Sequence, residues 1–235
     1  MTIIKSDNAL WIDALQLFEA SLMPGGLTSS QRQQLRCEAV FIQLDNQQTL
    51  FYQDQLINYW YLIINGRIDT LRYGDNGEEL IYKQRQRGQL LAALVIFMPS
   101  QRYPVQARAA EMSLVCRWPA AVLKKLCRTQ PEIALRLLAL AGNALCGTMD
   151  VIESFIHYST EQRLARYFLK LYAAQGELIV IPLTQRLLAN QLGVRVETLN
   201  RLLSAWKKRG YLTGKGMTFR LNDIAQFQRI SEGNK

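Results

Sequence analysis

The segment from Thr184 to Arg209 constrains the fold of this chain more than any other stretch. Thr184 is a residue type that caps helix N-termini, and three leucines behind it form an apolar stripe: Leu187, Leu188 and Leu192. Gly193 ends this helix, because glycine adopts left-handed backbone conformations without steric cost. A second helix has apolar residues on one side: Val196, Leu199, Leu202, Leu203 and Trp206. Its other side is polar and basic: Glu197, Asn200, Arg201, Lys207 and Lys208. This pattern predicts a helix-turn-helix that reads DNA, with an ordinary helical hairpin as the alternative.

Charge is distributed unevenly along the 235 residues, whose formal net charge is +9. From Ser159 onward there are 13 lysines or arginines against 5 aspartates or glutamates, a net of +8, whereas residues 1–158 carry a net of +1. A basic C-terminal part indicates a polyanionic partner, either a nucleic acid or a membrane surface. No run of 18 apolar residues predicts a membrane span, and the N-terminus lacks a signal-peptide pattern. We therefore expect a cytoplasmic protein without a membrane partner.

The four cysteines and the one histidine show no metal-binding spacing. Cys37, Cys116, Cys127 and Cys146 form no CxxC pair, and we expect them to be reduced thiols that pack mostly as small apolar groups. The sequence contains no visible nucleophile–base pair, metal cluster or phosphate-binding loop, so we do not expect an enzyme.

The first 128 residues predict helices followed by an antiparallel β-roll. Residues 8–22 and about 29–37 have helical patterns. From residue 40 to 118 the periodicity shifts towards two, in short runs rich in β-branched and aromatic residues. Gly74-Asp75-Asn76-Gly77 is a strong hairpin signal between two of these runs. Residues 90–98 interrupt the alternation and favour a short helix.

A long helix is predicted after Thr129-Gln130-Pro131-Glu132, which has the pattern of a capping box with proline in the first turn. Apolar and small side chains recur in it at intervals of three and four, as in a coiled-coil seam. The seam residues are Ala134, Leu137, Ala141, Ala144, Thr148, Val151, Phe155 and Tyr158. We interpret this helix as a dimerisation helix, although a helix packed only within its own domain can show the same stripe.

A second capping box, Ser159-Thr160-Glu161-Gln162, predicts another helix and a domain boundary. A short strand at 178–181 precedes the helix-turn-helix, and a hairpin after it predicts a wing. The predicted fold is α+β, with helices and a cyclic-nucleotide-binding-like β-roll over 1–128, a dimerisation helix over 129–158, and a winged helix-turn-helix over 159–235.

These elements, in this order, resemble the catabolite activator/FNR family of bacterial transcription regulators. The resemblance covers about residues 40 to 225, and its most specific part is LANQLGVRVETLNRLL at 188–203. The linker and DNA domain are most similar to the FNR-like branch. The resemblance implies a homodimer that binds double-stranded DNA at a palindromic site through a recognition helix at 195–209 and works with RNA polymerase.

The β-roll departs from the cyclic-AMP-binding members at the ligand cassette. Those members have a Gly-Glu pair that holds the ribose and an Arg-Ser pair that neutralises the phosphate. This chain has Ala92-Ala93 and Tyr103-Pro104 at the matching positions. Loss of both groups removes charge-assisted hydrogen bonds, so we expect no binding of cyclic AMP or cyclic GMP. Arg102 is offset by one residue, which directs it to the opposite face of a strand. Two family turn glycines are also replaced, by Gln47 and Asp54.

The other effectors of the family are also not predicted here. Oxygen-sensing members hold an iron–sulfur cluster with an N-terminal cysteine cluster, and residues 1–36 contain no cysteine. We predict no cofactor. Haem ligation by His157 and a thiol switch through Cys116, Cys127 or Cys146 stay open.

The resemblance assigns DNA contacts residue by residue. Glu197 would accept a hydrogen bond from a cytosine, Arg201 would bind a guanine, and Asn200 could reach an adenine or a thymine. Phosphate contacts are expected from Thr184, Gln185, Arg195, Thr198 and Lys215. An alternative for Glu197 is an ion pair with Arg201. The alternative for the whole chain is a protein-interaction module with an effector-free β-roll and secondary DNA binding.

Overall fold

A computed structural model describes residues 1–5, 7–74, 77 and 79–233. The chain forms two compact units, Met1–Leu145 and Cys146–Lys235. The boundary between them falls inside one long helix, so that helix contributes residues to both units. The predicted three-part division at 128 and 158 stays a prediction.

The N-terminal unit contains three short helices besides the start of the long one. They are α1 (Asn8–Leu22), α2 (Ser29–Glu38) and α3 (Ala120–Thr129). The Asp7 side chain accepts the Leu10 N–H at 2.7 Å and caps α1. Thr28 and Gln31 form a reciprocal capping box at the start of α2. Both helices were predicted, since such caps are encoded locally.

The predicted antiparallel β-roll is confirmed. Its strands are β1 (Thr2–Ile4), β2 (Val40–Leu44), β3 (Thr49–Phe51), β4 (Tyr59–Asn65), β5 (Arg67–Tyr73), β6 (Glu79–Gln86), β7 (Leu90–Leu91), β8 (Gln106–Ala109) and β9 (Ser113–Pro119). One sheet has the order β1-β2-β9-β4-β7 and the other β3-β8-β5-β6. β5 and β6 pair antiparallel, as the hairpin signal predicted, but Asp75 and Asn76 lie outside the described residues. Within residues 90–98, where a short helix was predicted, a single 3₁₀ turn covers Val95–Phe97.

Aromatic rings form the core between the helices and the five-stranded sheet. Trp60 and Trp118 stack with ring centroids 4.6 Å apart, and Phe18 of α1 lies 5.8 Å from Trp60. The Trp118 indole N–H donates to the Leu35 carbonyl at 2.9 Å, so this buried polar group is satisfied.

The long helix α4 extends over Pro131–His157. The predicted role of Thr129 in a capping box is wrong: Thr129 is the last residue of α3, and its hydroxyl donates to the carbonyls of Lys125 and Leu126, both at 3.2 Å. Proline in the first turn was predicted correctly. By length and composition alone, α4 could cross a membrane, since an 18-residue window in it has a mean hydropathy of 1.4 and is 6% buried. It contains no run of 18 apolar residues, and the absence of a membrane partner stays a prediction.

The C-terminal unit follows α4 with helices and a small sheet. The elements are α5 (Thr160–Gln175), β10 (Leu178–Val180), α6 (Gln185–Gln191), α7 (Val196–Lys208), β11 (Leu212–Lys215), β12 (Thr218–Leu221) and α8 (Ile224–Glu232). The predicted Ser159–Gln162 capping box is present, with the Ser159 N–H donating to Gln162 Oε1 at 2.8 Å. The sheet order is β10-β12-β11. Helix α8 was not predicted; its Phe227 ring packs edge-on against Trp206, 5.0 Å between centroids.

Candidate functional site

The helix-turn-helix is held together by hydrogen bonds at its turn. The Thr184 hydroxyl accepts the Leu187 N–H at 3.3 Å and caps α6. Gly193 has a φ of +65°, and its N–H donates to the Asn190 carbonyl at 3.0 Å. The Val194 N–H then donates to the Ala189 carbonyl at 3.0 Å. These bonds fix the direction in which α7 leaves the turn.

Helix α7 has one buried and one exposed face. Leu199, Leu203 and Trp206 are buried, and the Trp206 indole N–H donates to Glu161 of α5 at 2.8 Å. This contact ties α7 to the rest of the unit, so its outer face is presented on a fixed support.

The exposed face of α7 carries the predicted base-contacting residues. Glu197, Asn200 and Arg201 are exposed and lie one turn apart, at i, i+3 and i+4. The alternative ion pair between Glu197 and Arg201 is not formed. Lys208, already placed on this side by the sequence pattern, and Ser204, which helical spacing could have found, continue the same exposed row at i+11 and i+7.

The predicted phosphate-contacting residues lie on α7, on α6 and in the β11–β12 hairpin. Arg195 is the N-cap residue of α7, exposed and without a side-chain capping bond, and Thr198 is half-buried in its first turn. Thr184 and Gln185 lie at the N-terminus of α6. Lys215 is exposed at the end of β11, in the β11–β12 hairpin that forms the wing.

Arg163 joins three segments of the C-terminal unit and was missed by sequence reasoning. Its guanidinium donates to the Tyr158 carbonyl at 2.6 Å and to the Leu192 carbonyl at 2.8 Å, and it lies 4.5 Å from the centroid of the Phe155 ring. The end of α4 and the turn between α6 and α7 are therefore linked through one side chain.

Two residues of the seam predicted on α4 pack against other parts of their own unit, and the seam itself stays a prediction. Leu137 is 4% exposed, packed in the N-terminal unit, and Phe155 packs against Arg163 and Gly193. The remaining predicted seam residues are exposed or half-buried: Ala134, Ala141, Ala144, Thr148, Val151 and Tyr158. Every residue of a second heptad, offset by one position from the predicted seam, is exposed. It consists of Leu135, Leu138, Gly142, Leu145, Met149, Ile152 and Ile156. We call this set the α4 stripe.

The β-roll keeps a left-handed backbone conformation at three positions where other residues replace the glycines of the family. Ala92 has a φ of +62°, Gln47 of +67° and Asp54 of +62°. These are the positions at which the family has glycines, so the left-handed turns persist although the residue types have changed. Ala93, at the position of the ribose-binding glutamate, is 3% exposed and has no polar side chain.

Tyr103 occupies the interior of the roll at the position of the phosphate-binding arginine. Its ring stacks on Phe51 with centroids 3.9 Å apart, and its hydroxyl donates to the Tyr59 carbonyl at 2.7 Å. Burial raises the pKa of Tyr103, which keeps the phenol neutral. Pro104 follows with its carbonyl accepting the Arg72 Nε–H at 2.6 Å. Arg102 is exposed and donates to the Asp54 carbonyl at 2.6 Å, consistent with its predicted opposite face.

A cavity of about 640 Å³ remains beside the cassette, within the N-terminal unit. Residues of β6, the cassette and α4 line it, including Lys83, Arg85, Leu91, Val95 and Leu140. The wall is mostly apolar. It also carries the two cations on β6, which sequence reasoning did not single out, and neutral polar side chains: Ser21, Thr70, Tyr82, Gln89 and Asn143.

The cysteines are dispersed. Cys116 is buried, Cys127 is half-buried, and Cys37 and Cys146 are exposed. Burial raises the pKa of the Cys116 and Cys127 thiols. Within the described part of the chain, no three His, Cys, Asp or Glu side chains cluster in a way that could hold a metal ion.

Comparison with known proteins places both units in one family. Residues 41–130 match the cyclic nucleotide-binding domain, and residues 162–230 match the Crp-like helix-turn-helix domain. The chain is 28% identical over 198 residues to the anaerobic regulatory protein of Pasteurella multocida, covering 82% of this chain and 72% of that protein. It is 30% identical over 184 residues to the fumarate and nitrate reduction regulatory protein of Escherichia coli, covering 75% and 73%.

The solved structure of FixK2 from Bradyrhizobium japonicum has a similar fold, with a TM-score of 0.66 at 17% identity, covering 82% of this chain and 96% of that one. The two domain matches and the Escherichia coli relative carry the assignment: this chain belongs to the Crp/Fnr family of transcription regulators and has a helix-turn-helix DNA-binding domain.

Proposed function

We propose that the protein is a homodimeric, sequence-specific regulator that binds a pseudo-palindromic DNA site without cyclic AMP. The observation that carries the proposal is the row of exposed side chains on α7: Glu197, Asn200 and Arg201. Glu197 and Arg201 make no ion pair within the described chain. Groups without an internal partner are available to bases in a major groove that admits a helix.

Each side chain in this row has a partner among the base edges. Arg201 donates two parallel hydrogen bonds to guanine N7 and O6, and Glu197 accepts one from a cytosine amino group. Asn200 binds an adenine or a thymine. Phosphate contacts from Arg195, Lys215 and the N-terminus of α6 position the domain without selecting sequence.

The second copy of the chain covers the α4 stripe. The Leu135, Leu138 and Leu145 side chains are 64%, 67% and 63% exposed, and large apolar side chains in a row are unfavourable in water. The residues of the α4 stripe are alternately three and four positions apart, which is the spacing of two-stranded coiled coils. Two recognition helices brought together in this way favour half-sites about one helical turn, ~34 Å, apart.

The altered cassette supports independence from cyclic AMP. Ala93 offers no carboxylate to a ribose hydroxyl, and the buried Tyr103 ring stands where a phosphate would need a cation. The dispersed cysteines also do not fit an iron–sulfur cluster, which needs several thiolates around one centre. We propose that the protein works in the cytoplasm with RNA polymerase and without a bound cofactor.

Selection of bound sequences from random DNA by the purified full chain tests the proposal, followed by gel shifts on the selected site. We expect Arg201→Ala to weaken binding by about 1–3 kcal/mol and to relax preference at one guanine of each half-site. Arg229→Ala removes the same charge from an exposed position on α8 and serves as the control.

Equal binding by Arg201→Ala and the wild-type protein, with preference at that guanine unchanged, would show that the base contact is misassigned. Binding that barely depends on salt would favour the protein-interaction alternative, because phosphate contacts give a steep salt dependence.

A further inference from the structure

The cavity of the N-terminal unit is lined by two cations and by no carboxylate among its described lining residues. Lys83 and Arg85 are two positions apart on β6, so both side chains lie on the same face of the strand. Gln84, between them, points to the other face, where its amide donates to Asp69 at 2.9 Å.

Neither cation has an acidic partner within the described chain. Asp69, paired with Gln84 on the neighbouring strand β5, accepts from the Gln84 amide on the opposite face. The Glu79 carboxylate forms a half-buried ion pair with Arg108 at 2.5 Å. Burial lowers the pKa of Arg85, and burial together with the Arg85 charge lowers the pKa of Lys83. Two adjacent cations in a partly apolar cavity cost free energy unless an anion joins them.

The other residues that line the cavity indicate the chemical character of the uncharged part of that anion. Phe51, Leu91, Val95, Leu137 and Leu140 provide an apolar wall. Two hydroxyls at the cavity, on Thr70 and Ser21, already donate to the carbonyls of Lys83 and Gly88 at 3.0 Å and 2.9 Å. Tyr82, Gln89 and Asn143 also line the cavity, so its neutral polar groups lie beside a mostly apolar wall. A volume of about 640 Å³ is in the usual range of small-molecule sites.

We propose that this cavity binds an organic carboxylate with an apolar aromatic or aliphatic body, whose carboxylate is held by Arg85 with Lys83 beside it. A planar guanidinium binds a carboxylate through two parallel hydrogen bonds. The proposal rests on the proposed function, since it supplies the ligand class for a regulator that does not use cyclic AMP.

The test uses the full chain and a panel of acids: 2-naphthylacetate, 3-phenylpropionate and decanoate. Each acid is compared with its uncharged primary amide, and inorganic phosphate and cyclic AMP are included. Thermal melting detects binding and calorimetric titration measures Kd. We expect at least one acid to bind, its amide to bind at least about tenfold more weakly, and phosphate and cyclic AMP not to bind.

Variants locate the charge that recognises the acid. Arg85→Gln should weaken binding of the acid about tenfold or more and leave binding of the amide unchanged, and Arg85→Lys should restore part of the affinity. Lys125→Gln, an exposed cation on α3 outside the cavity, is the charge-matched control.

Three results would overturn the proposal: no acid binds, each acid and its amide bind equally, or Arg85→Gln binds the acid as well as Lys125→Gln does. The acid–amide comparison on the wild-type chain decides the matter even if Arg85→Gln does not fold. Gel shifts with Arg201→Ala are independent of the cavity, so failure here is distinguishable from failure of the proposed function.

Discussion

The ring of Phe155, near the end of α4, lies directly against Gly193 in the turn of the helix-turn-helix. A Cβ atom on Gly193 would overlap the Cε1 atom of that ring. Gly193 also has a φ of +65°, which side chains rarely adopt. Both backbone conformation and close packing therefore require glycine at this position.

Gly193→Ala is expected to destabilise the protein by about 1–3 kcal/mol, from the left-handed conformation and the overlap together. Denaturant unfolding measures the change. Gly147→Ala is the control, because this helical glycine has no neighbouring atom within 4 Å and should stabilise by about 1 kcal/mol.

The two contributions at Gly193 can be separated with Phe155→Ala. Removing the ring should make Gly193→Ala less costly, because only the backbone strain remains. An unchanged cost in the Phe155→Ala background would show that the ring contact does not matter.

The dimer interface is tested by two adjacent residues on α4. Ile152 belongs to the exposed α4 stripe, whereas Val151 belongs to the seam predicted from sequence. In sedimentation equilibrium without detergent, we expect Ile152→Glu to be monomeric and Val151→Glu to stay dimeric. Only the Ile152→Glu variant would bury an unpaired charge in the interface. A monomeric Val151→Glu variant together with a dimeric Ile152→Glu variant would favour the seam predicted from sequence. A wild-type chain that stays in solution only with detergent would favour a membrane as the partner of α4.

The wing should contribute to affinity rather than to sequence preference. Lys215→Ala removes an exposed cation at the end of β11, and we expect it to weaken binding similarly on all sequences. The slope of log K against log salt concentration should become shallower by about 1 in gel shifts or anisotropy titrations. A change of base preference in this variant would contradict a phosphate role.

Restoring glycine at Ala92 should stabilise the N-terminal unit. The φ of +62° strains an alanine, so Ala92→Gly is expected to raise the free energy of unfolding by about 1 kcal/mol, measured by denaturant titration. The neighbouring Ala93→Gly, which is buried and without positive φ, should destabilise instead. Stabilisation of both variants alike would contradict the strain argument.

The thiols should differ in reactivity with iodoacetamide. Cys37 and Cys146 are exposed and should be modified first. Burial raises the pKa of Cys116 and Cys127, so a smaller fraction of each is thiolate between pH 7 and 9, and Cys116 should react only after unfolding. Mass spectrometry of timed samples gives the order, and early modification of Cys116 would reopen it as a redox switch.

Local signals in the sequence determined much of the fold. The Ser159–Gln162 capping box, Gly193 and the alternating β-roll strands were read correctly because caps, turns and strand alternation depend on neighbouring residues. The exposed row Glu197, Asn200 and Arg201 was also correct, since helical spacing and one apolar face define it.

Tertiary packing decided what sequence periodicity left open. Helix α4 has apolar residues around most of its circumference, so two heptads one position apart fit the pattern. Only the folded chain shows that Leu137 is buried and that Phe155 contacts Gly193, whereas the other residues of both heptads stay exposed or half-buried. Three further contacts join residues that are distant in sequence. Tyr103 stacks on Phe51, and Arg163 links the end of α4 to the turn between α6 and α7. Lys83 and Arg85 line the same cavity as the apolar wall. Such contacts arise when elements pack together, and no local propensity encodes them.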